Sequence, residues 1–299
     1  GGIEVLVSLA RDGNEGQKEE AAGALWNLAI NDDLKVAIAA AGGIEVLIAL
    51  ARHGSEGQKD CAAGALWNLA VNDDNEAAIV AAGGIDVLVS LARDGNEAQK
   101  ERAAGALRIL ADNDDNEAAI AAAGGVEVLV SLARDGNERQ KVRAVGALWN
   151  LAINDDNEAA IVAAGGIEVL MSLAREGNEA QKERAAGTLR NLAMNDDNSV
   201  AIAAAGGIEV LVSLARDGNG EQKEEAAGAL WNLAHNDDNS VAIAEVLVSL
   251  ARDGSERQKE FAAAALRNLA HNDDNSVDGN EGQKEEAAGA VWNLAINDD

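Results

Sequence analysis

The sequence has no proline, no tyrosine and only one cysteine in 299 residues. The single cysteine, Cys61, excludes an internal disulfide and fits a reducing compartment, so we expect an intracellular protein of the cytoplasm or nucleus. There is no run of 18 or more apolar residues and no charged-then-apolar leader. We therefore expect neither a membrane span nor a signal peptide, and no membrane partner.

Basic residues are also scarce, because 24 lysines and arginines face 52 aspartates and glutamates, for a net charge of −28. A nucleic-acid partner is not expected, since phosphates require a basic surface. The chain is longer than a single core usually supports, yet it contains no Pro-, Gly- or Ser-rich linker. A long chain of even texture suggests a repeat array.

Two short motifs recur along the chain. Gly-Gly followed by Ile or Val recurs every 41 residues, at Gly1, Gly42, Gly83, Gly124, Gly165 and Gly206. Asn-Leu-Ala recurs with its asparagine at Asn27, Asn68, Asn150, Asn191, Asn232, Asn268 and Asn293. In the third copy Ile109 replaces the asparagine. These motifs predict an array of about eight units.

The last two units are shorter, because the asparagine-to-asparagine step falls to 36 residues after Asn232 and to 25 after Asn268. Either the array is degenerate near 244 and 277, or segments are missing there. We favour missing segments, because loss of a helix would expose its neighbours' apolar faces. The first unit lacks its short first helix, and neither end carries a polar capping unit. We expect end-to-end self-association or a longer parent protein.

Each complete unit is predicted to contain three helices. A short first helix fits 75–82, closed by a glycine pair that permits a sharp turn. A second helix fits Ile3 to Ala10, whose apolar residues recur at helical spacing. A long third helix begins at a capping box, such as Asn14 with Gln17 or Ser55 with Gln58. Its apolar stripe can be buried only by stacking against neighbouring units.

A 41-residue unit of this kind, such as residues 78–111, resembles the armadillo repeat. The resemblance implies an all-α fold, a right-handed superhelical α-solenoid of three-helix repeats, forming a single array over residues 1–299. It further implies that third helices line a concave groove, where a ladder of asparagines holds the backbone of an extended peptide. In this chain the ladder residues are Asn27, Asn68, Asn150, Asn191, Asn232, Asn268 and Asn293, interrupted by Ile109.

One departure concerns tryptophan. Nuclear-import receptors of the family carry tryptophan four residues before each asparagine, where this chain has glycine, as at Gly23 and Gly64, or in one copy alanine, Ala264. Here the tryptophans stand one residue before the asparagine, as at Trp26 and Trp149. The units therefore resemble those of catenins or ubiquitin ligases more than those of import receptors, which disfavours specific capture of basic signals.

The copies differ mainly at three positions: seven residues before the asparagine, one residue before it and three residues after it. Helical geometry predicts that these positions fall on one side of the third helix. Arginines recur at the first two of these positions, at Arg102, Arg143 and Arg184 and at Arg108 and Arg190. Arginine binds carboxylate and phosphate bidentately, so an acidic or phosphorylated partner segment is predicted. Alternatives stay open: the arginines could pair with nearby acids, the tryptophans could pack between units, and the asparagines could bond to neighbouring backbone.

No catalytic, metal or cofactor site is predicted. The three histidines, His53, His235 and His271, stand in separate units, and Cys61 has no matching histidine. The Asn-Asp-Asp runs lack calcium-loop spacing and are interpreted as helix caps. We expect a non-catalytic protein–protein interaction module that binds an extended peptide or disordered segment. The alternative is a structural or engineered repeat scaffold without a native ligand, because near-identical copies also suit consensus design.

Overall fold

The computed structural model describes residues 1–235 and, beyond them, 239, 243, 246–248, 250–252, 254–263 and 266. The chain divides into two compact units, Gly1–Ala164 and Gly165–Asp299, here called unit 1 and unit 2. Every regular element in the described residues is helical, which confirms the expected all-α fold. The shortened stretches near 244 and 277 and the single array over residues 1–299 stay predictions.

The helices of unit 1 are, in chain order, α1 (Gly2–Asp12), α2 (Glu15–Leu28), α3 (Asp32–Ala40), α4 (Gly43–His53), α5 (Glu56–Leu69), α6 (Asp73–Ala81), α7 (Gly84–Asp94), α8 (Glu97–Leu110), α9 (Asp114–Ala122), α10 (Gly125–Asp135), α11 (Glu138–Leu151) and α12 (Asp155–Ala163). Those of unit 2 are α13 (Gly166–Glu176), α14 (Glu179–Leu192), α15 (Asp196–Ala204), α16 (Gly207–Asp217) and α17 (Gly220–Leu233). They follow the predicted order of short first, second and long third helix, starting at the second helix of repeat 1.

The helix ends follow from local chemistry. The capping boxes form as predicted, with Asn14 accepting from the Gln17 N–H at 2.9 Å and Gln17 accepting from the Asn14 N–H at 3.0 Å. The asparagine of each Asn-Asp-Asp run between residues 31 and 197 caps a first helix, as Asn72 caps α6 by accepting from the Asn75 N–H. The helix predicted over 75–82 consequently begins two residues earlier, at Asp73.

The glycine pair makes the turn between first and second helices. Gly42 adopts φ +75°, which favours glycine, and a Cβ on Gly43 would lie 2.7 Å from the Ile38 carbonyl oxygen. Helices α3 and α4 therefore meet at a bend of 82°. In the described residues no single helix is long and apolar enough to cross a membrane; first and second helices satisfy that requirement only as bent pairs.

The core lies between the second and third helices of successive repeats. Leu47 and Leu88 of second helices and Leu66 and Leu107 of third helices are fully buried. Alanines at the contacts, such as Ala62, allow neighbouring third helices to approach closely. In unit 1 each third helix packs along the next, from α2 through α5 and α8 to α11, and in unit 2 α14 packs along α17. This stacking brings the same positions of successive repeats together.

Candidate functional site

Four positions of each repeat form what we call the third-helix face: the asparagine of the third helix, the residues seven before and one before it, and the residue three after it, which lies just beyond the end of the helix. The structure brings some of these positions into contact. In repeat 6, for example, the ring centroids of Trp231 and His235 lie 5.8 Å apart. Across repeats, the guanidinium carbon of Arg102 lies 4.5 Å from the ring centroid of Trp26.

The asparagine ladder bonds to neighbouring backbone. The Asn68 Nδ2 donates to the Trp26 carbonyl at 3.3 Å, and the Asn150 Nδ2 to the Arg108 carbonyl at 3.0 Å. In unit 2 the Asn232 Nδ2 donates to the Arg190 carbonyl at 2.7 Å. These carbonyls stand in the last turn of the preceding third helix, where backbone acceptors lack partners within the helix. One of the sequence-based alternatives, a bond to backbone inside the solenoid, is thus present at these three positions.

The other asparagines differ in exposure. Asn27, in the first repeat, is exposed, whereas Asn191 is only 7 % exposed. Asn68, Asn150 and Asn232 are half-buried, so their side chains still reach the surface beside the next repeat. Asn268 and Asn293 lie outside the described residues.

A second amide ladder, not predicted from the sequence, runs along the starts of the third helices. The Gln58 Nε2 donates to the Glu15 carbonyl at 2.9 Å, in addition to the role of this glutamine in its capping box. The same bond joins Gln99 to Glu56 at 3.0 Å in unit 1 and Gln222 to Glu179 at 2.9 Å in unit 2. The ladder could have been anticipated for these glutamines once they were taken as buried, because a buried polar residue must find a hydrogen-bond partner.

Tryptophans and arginines stack on each other along unit 1. Arg102 lies over Trp26 and forms an ion pair with Asp60. Arg143 lies over Trp67 at 4.7 Å. Each pair joins repeats two apart in the array, and the flat guanidinium suits the ring face. Trp149, in the fourth repeat, is half-exposed on the same face.

At Gly64, Gly105 and Gly228, the third-helix glycine that stands four residues before the position of the asparagine lies directly beneath a side chain of the preceding repeat, and we call it the slot glycine. A Cβ on Gly64 would lie 2.6 Å from the Trp26 Cε2, and one on Gly105 would lie 2.8 Å from the Trp67 Cε2. The tryptophan of one repeat therefore occupies the space above the slot glycine of the next. This contact explains why glycine stands where import receptors carry tryptophan.

Positive charge is concentrated at repeats 3 and 4. Burial lowers the pKa of the Arg143 guanidinium, and the nearby charges of Arg108 and Arg139 lower it further, against the attraction of Glu101. The Arg108 Nε is buried without a hydrogen-bond partner among the described residues. Glu101 also faces Arg139 at 3.9 Å. Two further guanidinium groups and one carboxylate thus act on the charge of Arg143.

In unit 2 the arginines have different surroundings. Arg190 pairs with Glu225 at 2.8 Å, and its Cδ lies over Gly228. Burial raises the pKa of the Glu225 carboxyl despite the opposing charge of Arg190. Arg184 is half-buried on α14, where its carbonyl accepts from the Thr188 hydroxyl at 2.7 Å.

The first helices of unit 1 bury a row of glutamates. The Asn116 Nδ2 donates to the Glu76 Oε1 at 2.6 Å in the buried interior. Burial raises the pKa of Glu158 to about 7, with the charge of Asp155 adding to the effect. No group of three or more His, Cys, Asp or Glu side chains that could hold a metal occurs in the part of the chain that the structure describes.

Comparison with known protein families gives a match that extends over six successive repeats of the chain. The sequence model of the Armadillo/beta-catenin-like repeat matches residues 1–30, 31–71, 72–112, 113–153, 154–194 and 195–235. Among curated proteins, Protein ARABIDILLO 2 of Arabidopsis thaliana is 55% identical over 42 residues, which cover 14% of this chain and 4% of that protein. The match thus spans a small part of that relative's length.

Two solved structures extend the comparison. An engineered protein, Northeast Structural Genomics Consortium target OR497, is 35% identical, with a TM-score of 0.85, covering 98% of this chain and 78% of that one. A designed armadillo repeat protein in complex with peptide (KR)4 is 24% identical, with a TM-score of 0.72, covering 78% of this chain and 100% of that one. The second likeness supports the fold alone.

Proposed function

Because the chain belongs to the armadillo-repeat family, we propose that it is a non-catalytic interaction module whose third-helix face binds an extended, acidic or phosphorylated segment of another protein. Peptide binding is supported coarsely by the designed armadillo protein in complex with a peptide. That peptide is basic, so the charge of the partner is argued from this chain's own residues.

The observation that carries the proposal is the arginine cluster of Arg108, Arg139 and Arg143: Arg108 and Arg139 repel Arg143, and Glu101 attracts both Arg143 and Arg139. Guanidinium groups bind carboxylate and phosphate oxygens through parallel hydrogen bonds. Arg143 is held in place by its stack on Trp67, so little side-chain freedom is lost on binding. Arg102 contributes less to an anion site, since Asp60 already pairs with it.

The asparagines have a more limited role in this proposal than the resemblance implies. In Asn68, Asn150 and Asn232 the Nδ2 already donates to a backbone carbonyl. Their Oδ1 atoms are the groups that would accept from a partner's backbone N–H. The proposed ladder thus positions the partner through acceptors, while charge comes from the arginines.

The test is fluorescence anisotropy with three labelled extended peptides of equal length: glutamate-rich, phosphoserine-containing, and alternating Lys-Arg. We expect binding of the first two, weakened by added salt because the charges are exposed. Replacing Arg108 and Arg143 together with Ala should weaken binding at least about tenfold. The matched control is Arg175→Ala on α13, whose exposed side chain lies on a second helix. Exclusive binding of the Lys-Arg peptide would overturn the proposed charge.

A scaffold without a native ligand is the second candidate. Near-identical repeats favour it, and one solved structure that covers 98% of this chain is an engineered protein. The same titration separates the two functions, because a scaffold would bind none of the three peptides.

A further inference from the structure

The third-helix face also carries exposed apolar side chains. Large apolar residues in the described part of the chain are mostly buried, but four exposed ones share a single repeat position, three residues after the asparagine. They are Ile30 at 69 %, Val71 at 55 %, Ile153 at 68 % and Met194 at 74 % exposure. Other repeats hold Asp112 or His235 there, so the fold accepts polar residues at this position. The apolar residues are therefore not required for folding.

Each of these residues lies four residues after the one that precedes the asparagine, in the turn just beyond the end of the third helix. The described contact in repeat 6 shows this neighbourhood: the His235 Nδ1 lies 3.1 Å from the Trp231 carbonyl, and the two rings are in contact. The same spacing pairs Trp26 with Ile30, Trp67 with Val71 and Trp149 with Ile153 in unit 1. We call these three the apolar pairs.

In repeat 3, Arg108 and Asp112 occupy the two positions of an apolar pair. Arg108 thus lies between the Trp67–Val71 pair and the Trp149–Ile153 pair, while Arg143, on the helix of Trp149, lies over the Trp67 ring and leaves Val71 as the exposed part of the first pair. Resting on the proposed function, we propose that the partner segment carries a large apolar side chain on each side of its acidic or phosphorylated residue, and that these side chains bind at those two pairs. Exposed apolar surface beside a charged centre is where such side chains gain most from burial.

The spacing of the two side chains follows from geometry. Helices that pack side by side lie about 10 Å apart, so repeats 2 and 4 are about 20 Å apart. An extended chain rises about 3.3 Å per residue, so the two apolar residues should be about six residues apart. Residues separated by an even number point to the same side of an extended chain. The acid, two or four residues after the first apolar residue, would then face the arginines.

The test uses a labelled peptide of about ten residues with two leucines six apart, glutamates at the second and fourth positions between them, and serine elsewhere. We expect it to bind at least about tenfold more tightly than the same peptide with both leucines replaced by serine. Val71→Ser and Ile153→Ser should each weaken the leucine peptide several-fold and leave the serine peptide unchanged. The control is Val36→Ser on α3, which removes an apolar side chain of 52 % exposure from a first helix.

Val71→Met should preserve binding, since repeat 5 carries Met194 at this position. Circular dichroism should show unchanged helicity in all variants, because their side chains are exposed. Equal affinity for the leucine and serine peptides would overturn this inference and leave the proposed function intact. Failure of both peptides to bind at millimolar concentration would overturn the inference together with the proposed acidic partner.

Discussion

Repeat 1 of unit 1 and repeat 5 of unit 2 fill the same position of the third-helix face with opposite chemistry. In repeat 1 a tryptophan precedes the asparagine and an arginine lies over it, Trp26 with Arg102. In repeat 5 an arginine precedes the asparagine and a carboxylate pairs with it, Arg190 with Glu225. A further unit 2 variant stacks Trp231 on Phe261, with 5.8 Å between ring centroids.

Both units share the slot glycine beneath these side chains. Trp26 lies over Gly64, and Arg190 lies over Gly228. The comparison shows that in both units a side chain of the preceding repeat lies close against the helix backbone at the slot glycine, while the type of that side chain varies. The array can thus change the local charge of its face without changing how third helices pack.

The largest expected effect comes from adding one methyl group at the slot. In Gly64→Ala the new Cβ would lie 2.6 Å from a rigid indole ring that is held from above by Arg102. We expect a loss of about 2 kcal/mol in the free energy of unfolding, from overpacking. In Gly228→Ala the Cβ meets the Arg190 Cδ, which can swing away, while alanine favours the helix by about 1 kcal/mol, so stability should change by less than about 1 kcal/mol.

Urea unfolding followed by circular dichroism measures both variants. The control is Trp26→Ala combined with Gly64→Ala, in which the methyl group should cost nothing beyond the loss of the ring. Equal destabilisation by Gly64→Ala and Gly228→Ala would show that the side chain above the slot glycine does not determine the loss in the free energy of unfolding.

The first helices extend the comparison, because unit 1 buries Glu117 and Glu158 where unit 2 buries Ser199. The folded pKa of Glu158, about 7, lies above the ordinary value of 4.5, so the folded chain binds the proton more strongly than the unfolded one. This carboxyl therefore stabilises the fold increasingly as pH falls from about 7 towards 4.5, and the benefit is lost as pH rises through 7.

Glu158→Gln should remove that contribution. Relative to the parent chain, the variant should gain on the order of 1 kcal/mol between pH 4.5 and pH 8, a figure reduced for solvent screening. Thermal unfolding at several pH values measures it. A stability difference that stays constant across that range would contradict the assigned titration.

The first helices also differ within unit 1, since Lys35 stands at the position where the next repeat has Glu76. In the part of the chain that the structure describes, the Asn75 Nδ2 is buried without a hydrogen-bond partner, whereas the equivalent Asn116 Nδ2 donates to Glu76. Lys35→Glu should supply the missing acceptor and stabilise the chain by about 1 kcal/mol. Lys35→Ala is the control, because it removes the lysine without adding an acceptor. Equal urea midpoints for the two variants would count against the pairing.

The smallest effect is expected at the ion pair of unit 2. Burial raises the pKa of Glu225, so desolvation offsets much of the attraction of Arg190. Glu225→Gln at pH 7 should therefore change the free energy of unfolding by less than about 0.5 kcal/mol. A loss above 2 kcal/mol in urea unfolding would show that the pair holds the third helices together.

Local features of the fold could be predicted from the sequence. The 41-residue step, the capping box of Asn14 with Gln17 and the turn at Gly42 depend on residues close in the chain. The side on which Arg102 and Trp26 lie followed from helical periodicity. The first helix was placed two residues late, since the whole Asn-Asp-Asp run was interpreted as the cap, whereas Asn72 alone caps α6 and Asp73 and Asp74 belong to its first turn.

Contacts between repeats could not be predicted in the same way. The bond from Asn68 to the Trp26 carbonyl joins atoms 42 residues apart, and repetition offers many equivalent partners. The slot was missed although its signal was present. Glycine recurs mid-helix at Gly23, Gly64 and Gly105, where each costs up to about 1 kcal/mol relative to alanine, so a steric reason was to be expected.

The glutamine ladder has an evolutionary consequence. Gln58 binds the main-chain oxygen of Glu15, an atom that every residue type possesses. Gln99 and Gln222 likewise each bind a main-chain oxygen of the preceding repeat. A repeat joined to its predecessor in this way needs no matched side chain there. Gene duplication can therefore lengthen such a chain, and shuffling can reorder its modules, without compensating substitutions at each new junction.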